Sequence, residues 1–158
     1  ACTAVLAQIV IPIGPVPFNL AVFGAFLSGM LLSPGMAVLS MGTYWLMAAI
    51  GLPVMAGMQG GLGAVLSPTG GYVAGYLLLA GCTALAAKSA APMRWVGMAL
   101  GLVLCYTLGT VWFILATGTS LPAALSLCVV PFIPADAAKA IAAFWLAQTL
   151  KRRVLQQA

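Results

Sequence analysis

The chain reads as an all-α integral membrane protein, a six-helix bundle whose Pro/Gly-rich loops cap a ligand pocket. Three observations predict this. Of its 158 residues, 64% are hydrophobic and 4% are charged, against about 25% charged in a soluble domain. The mean hydropathy is +1.18. The apolar stretches are longer than barrel strands and lack their alternation, so the spans are helices. Such a chain cannot cover a water-facing surface.

Proline and glycine divide the stretches. Segment one runs from Ala1 to Ile13, and Pro12, Gly14, Pro15 and Pro17 then forbid a continuous helix. Segment two covers about Phe18 to Leu32, and Ser33-Pro34-Gly35 is a tight turn. Segment three covers about Met36 to Ile50. A Gly-rich connection, Gly51 to Gly70, leads to segment four, Gly71 to Ala87. A polar turn from Lys88 to Arg94 leads to segment five, Trp95 to Ala116. An irregular stretch follows, with a short helix expected over Ala123–Val130, and segment six covers Ala135 to Leu150. Several spans are shorter than about 20 residues, as expected where re-entrant loops complete the membrane thickness. One domain over 1–158 is expected, without an evident signal peptide. The chain starts without Met on a short apolar run, so the natural N-terminus is expected to precede residue 1.

Charge placement predicts orientation. Lys88 and Arg94 lie between segments four and five, and Lys151, Arg152 and Arg153 follow segment six. Two crossings separate these groups, so they share a side, which the positive-inside rule makes cytoplasmic. The connections 12–17, 51–70 and 118–134, which lack Lys and Arg, then lie together on the external side. Polar backbone at that depth must be buried in protein or line a cavity. These loops are expected to form the walls and lid of a pocket.

The net charge of +5 does not imply nucleic acid, because half of the basic residues form the run after the last span. Catalysis is hard to build: there is one carboxylate and no His, hence no acid–base pair and no activator for Ser or Cys. Cys2, Cys82, Cys105 and Cys128 have no metal or redox spacing and read as small apolar residues. No phosphate-binding loop occurs, so uphill movement would draw on a partner or an ion gradient.

Asp136 and Lys139 are the exception inside the apolar segments. Asp136 is the only acidic residue, and Lys139 lies three residues on, so the two share a helix face. Pro134 pre-sets the first turn, where the helix dipole favours the carboxylate. A charge at membrane depth costs about 2.5–3.5 kcal/mol on insertion scales and marks a functional site by default. The pair suits a ligand with both donors and acceptors, with Tyr72, Trp112, Phe132 and Met55 to bury its apolar body. The plainer alternatives are an ion pair that ties two helices in a structural subunit, and a passive channel. Ala21, Ala25 and Gly29, like Gly71/Gly75 and Gly97/Gly101, form small-xxx-small patterns. They serve either packing within the bundle or the docking of another membrane subunit, with Ala21, Ala25 and Gly29 one candidate docking face and Ala1, Ala4 and Ala7 of segment one another.

Four strings in order, Ala7-Gln8-Ile9-Val10-Ile11-Pro12-Ile13-Gly14-Pro15-Val16-Pro17, Gly51-Leu52-Pro53-Val54, Ser67-Pro68-Thr69-Gly70-Gly71-Tyr72 and Pro131 to Lys139, resemble the BioY family. These are biotin-specific substrate-binding (S) components of energy-coupling-factor (ECF) transporters. The resemblance covers nearly the whole chain. It implies biotin capture from outside at the bacterial cytoplasmic membrane, without a cofactor. It also implies a transmembrane coupling (T) subunit and ATP-binding-cassette ATPases as partners. Asp136 and Lys139 match the family's Asp and Lys at the start of the last helix. The implied biotin contacts are completed by Gln59, Gly60 and Gly61 of the Gly-rich loop, Tyr72, Met55, and Pro15 and Val16. A receptor for a different small vitamin is the alternative within the same class.

Overall fold

A computed structural model describes residues 2–11 and 18–157, with side chains as far as Arg153. Each expected segment carries a helix. These are α1 (Cys2–Ala7), α2 (Ala21–Leu31), α3 (Pro34–Ala49), α5 (Gly70–Ala86), α6 (Ala91–Thr117) and α8 (Ile133–Gln157). A single turn, α4 (Leu62–Val65), interrupts the 51–70 connection, and α7 (Leu121–Cys128) precedes α8. The expected short helix thus starts two residues earlier than read.

Local chemistry explains the boundaries. The Asn19 side-chain oxygen accepts the Ala21 N–H at 2.9 Å and opens α2. Pro34 opens α3, and Pro92 lies in the first turn of α6, positions where no N–H is needed. Gly118, left-handed at φ 69°, closes α6. Two boundaries depart from expectation. The last helix does not stop at Leu150 but continues through the basic run to Gln157. Strands β1 (Val10–Ile11) and β2 (Phe18–Asn19) pair antiparallel, with Val10 opposite Asn19 and Ile11 opposite Phe18. That ladder satisfies backbone groups for which lipid offers no partner.

At 27 residues α6 is long and apolar enough to cross a bilayer by itself. The bent pair α7–α8 qualifies as one broken span with a 47° bend, while α2 and α5 are shorter apolar helices. Outward side chains are apolar: Leu115 is 77% exposed and Leu85 71%. Such faces fit hydrocarbon rather than water.

Small residues bring the helices together. Gly71 and Gly109 face Trp112 and Tyr72 across the α5–α6 contact, Gly75 faces Cys105, and Gly101 packs on the Leu79 backbone. The Gly71/Gly75 and Gly97/Gly101 patterns are therefore internal seams. The same holds for α2. Ala21 and Ala25 are buried, and a Cβ on Gly29 would lie 2.6 Å from Thr83 Cβ and 2.7 Å from the Ala80 carbonyl oxygen of α5. The expectation that Ala21, Ala25 and Gly29 form a docking face is thus corrected. They are core, packed within the bundle, and offer another subunit nothing to touch.

Candidate functional site

Asp136 lies in the first turn of α8, its N–H bonded to the Phe132 carbonyl at 2.8 Å. One turn on, Lys139 Nζ donates to Asp136 Oδ1 at 2.8 Å. Tyr106, from the middle of α6, donates its hydroxyl to Oδ2 at 2.6 Å. The residues are 1% and 6% exposed for Asp136 and Lys139, so both charges are out of solvent. Phe18 of β2 covers the ammonium, 3.9 Å from its ring centroid, and stacks in turn on Phe132. The cation is held by a carboxylate on one side and a π face on the other.

Asp136 and Lys139 line an open-mouthed cavity. Every tyrosine of the chain reaches it: Tyr44 from α3, Tyr72 and Tyr76 from α5, and Tyr106 from α6. Tyr72 bonds the Thr110 hydroxyl at 3.1 Å. Asn19, Gln59 and Thr69 add polar groups, and Val22, Met55 and Phe132 add apolar wall. A mostly apolar cleft with a few fixed polar groups is the usual form of a small-molecule site.

The loop over the cavity is built with equal specificity. The Gln8 amide donates to the Ala4 and Met55 carbonyls, both at 3.1 Å, and its oxygen accepts the Met58 N–H at 2.9 Å. Met55 and Gln59 form a β-bridge. Gly61, at φ 92°, sends its N–H to the Ala48 carbonyl at 2.7 Å and folds the loop onto the end of α3. A Cβ on Gly60 would overlap the Leu52 carbonyl.

The sequence-derived site residues therefore divide. Asp136, Lys139, Gln59, Tyr72 and Met55 meet at the cavity. Gly60 and Gly61 are not among its lining residues; they shape the loop that presents Gln59. Pro15 and Val16 lie outside the described residues. Trp112, read as a pocket wall, instead donates to the Ser67 carbonyl at 2.9 Å and braces the loop behind the site. Tyr106, Tyr76, Tyr44 and Phe18 were missed. A tyrosine hydroxyl inside an apolar run was the available signal for the first three, since such a group needs a partner.

A sequence model of the BioY family matches residues 1–156. The chain belongs to the BioY family. A probable biotin transporter BioY from Pyrococcus horikoshii is 38% identical over 96% of this chain and 90% of that protein. The biotin transporter BioY from Thermotoga maritima is 39% identical, also over 96% of this chain and 90% of its own length. Among solved structures, the S-component for biotin from an ECF-type ABC transporter superposes with a TM-score of 0.87. It shares 29% identity, covering 96% of this chain and 85% of that one. The BioY resemblance and the helical membrane fold expected from the sequence are both borne out by these matches.

Proposed function

We propose that this BioY-family chain binds biotin as the S component of an ECF-type ABC transporter and is not itself an enzyme. The observation that carries the reading is the buried Asp136–Lys139 pair, bonded by Tyr106, in a tyrosine-lined cavity. An ionised carboxylate has about four acceptor positions, and Lys139 and Tyr106 use two of them. The remaining positions suit the N–H donors of the ureido ring. Lys139 retains N–H donors for the ureido carbonyl or the tail carboxylate. Among the described residues, the Tyr44 and Tyr76 hydroxyls make no protein hydrogen bond and line the cavity, so they can serve the same oxygens. The thioether ring and valeryl chain fit against Val22, Met55 and Phe132.

Residues 1–158 form one binding unit in this reading. Its cavity opens to the outside of the cytoplasmic membrane and its basic end faces the cytoplasm. Uphill uptake is driven by ATPase subunits through a transmembrane coupling subunit, because the chain offers no nucleotide loop of its own. Isothermal titration of the detergent-purified protein with biotin tests the proposal. Saturable heat and a rise in melting temperature are expected; neither heat nor a thermal shift would overturn it.

A further inference from the structure

Five of the six basic residues lie far from the cavity and have no carboxylate to answer them, because the chain's single acidic residue is Asp136. Lys151 follows Asp136 by fifteen residues, which is about 22 Å along α8. Three of the five are drawn together by packing. Trp95, at the start of α6, stacks on Phe144 of α8 with centroids 4.5 Å apart. Lys151 is seven residues, or two turns, beyond Phe144, and so faces the same way, toward Arg94. Arg94 folds back to donate from Nε to the Ser89 carbonyl at 2.8 Å, which holds it against the residue that follows Lys88. Lys151 and Arg94 are half-buried, whereas Arg152 and Arg153 stand in the open. The Arg94 and Lys88 charges both act on Lys151. Like charges held together without a counter-charge leave a strong positive potential awaiting an anion.

What adjoins the cluster decides the kind of anion. Leu85, Met93, Val96 and Leu150 flank it and are exposed apolar side chains. A cationic seat continuous with an apolar flank fits an amphiphile with an anionic head, not a free ion and not a wholly polar surface. We propose that Lys88, Arg94 and Lys151 form a seat for the phosphate headgroup of an anionic phospholipid, whose acyl chains lie along the flank beside Trp95. Bound there, the lipid neutralises the seat and ties the ends of α5, α6 and α8 to the leaflet opposite the biotin cavity.

The test is native mass spectrometry and thermal melting of the full chain in neutral detergent, titrated with phosphatidylglycerol or phosphatidylcholine. Each cation near an anionic headgroup contributes about a fivefold factor, so three predict roughly hundredfold preference for phosphatidylglycerol. Lys88→Gln, an exposed change that leaves packing intact, should lower the preference about fivefold by the same factor. The triple change Lys88→Gln, Arg94→Gln, Lys151→Gln should abolish it while biotin affinity stays at the parent value. Arg152→Gln with Arg153→Gln is the control and should shift the preference less than Lys88→Gln alone. Four results would overturn the inference: equal binding of phosphatidylcholine, equal stabilisation by inorganic phosphate, a control as damaging as the triple change, or an undiminished preference in the triple variant. The last would leave the cluster to an acidic protein surface.

Discussion

The Asp136–Lys139 pair can be taken apart in two steps, and the order of effects separates a binding pair from a helix tie. Asp136→Asn keeps the shape but replaces an acceptor-only group with a mixed donor and acceptor. A charge-assisted hydrogen bond from a ligand N–H is worth about 1.5–3 kcal/mol, so biotin affinity should fall about ten- to a hundredfold. The same change leaves Lys139, 6% exposed, with no carboxylate anywhere in the chain to pair with. Breaking a buried pair from one side costs about 3–5 kcal/mol, so the melting temperature should drop markedly. Lys139→Met keeps the apolar stem, loses the ion pair and the contact with Phe18, and leaves the carboxylate with Tyr106 as its side-chain donor among the described residues. The double change Asp136→Asn with Lys139→Met removes both charges. Stability should then recover most of what each single change loses, because no uncompensated charge is left. Affinity should not recover, since the acceptor for the ligand N–H is gone. Titration calorimetry and thermal melts of the four proteins in one detergent read both quantities. A double variant that melts like the parent and binds biotin like the parent would refute the assignment of this pair to the site.

Other changes probe the surroundings. Tyr106→Phe deletes the donor to Asp136 Oδ2 while leaving the ring in place, and should weaken biotin binding about tenfold in the same calorimetric assay, with a small effect on melting. Gly29→Ala puts a methyl against Thr83 and the Ala80 carbonyl and should cost about 1–3 kcal/mol of stability, read as a lower melting temperature. The folded fraction of that variant should still assemble with a coupling subunit, because the position is internal; lost assembly at unchanged stability would restore the docking reading. Gly60→Ala forces the loop away from Leu52 and should reduce biotin affinity while sparing the helical signal in circular dichroism. A cysteine in place of Gln157, after replacement of the four native cysteines, should resist an impermeant thiol reagent in intact cells. Labelling from outside would invert the proposed orientation.

The sequence by itself determined the membrane class, the helical segments and the charged pair. Composition alone rules out a water-facing surface. Proline and glycine mark chain breaks by local sterics, and a separation of three residues places Asp136 and Lys139 on one face in any helix. Each of these depends on neighbours along the chain. The tertiary structure decided which faces look inward. In a soluble helix the apolar stripe identifies the core, but in lipid both faces are apolar, so periodicity cannot tell Gly29 against Thr83 from a surface meant for another subunit. The gathering of Tyr44, Tyr72, Tyr76 and Tyr106 on one cavity was hidden for the same reason: they come from three helices, two of which, α5 and α6, are set against each other by the close approach at Gly71, Gly75 and Gly101. The Gly-rich loop also needed three dimensions, because the carbonyl of Leu52 leaves no room for a Cβ at Gly60. A backbone that close to its neighbour leaves no volume for a side chain, and that volume is a property of the packed bundle.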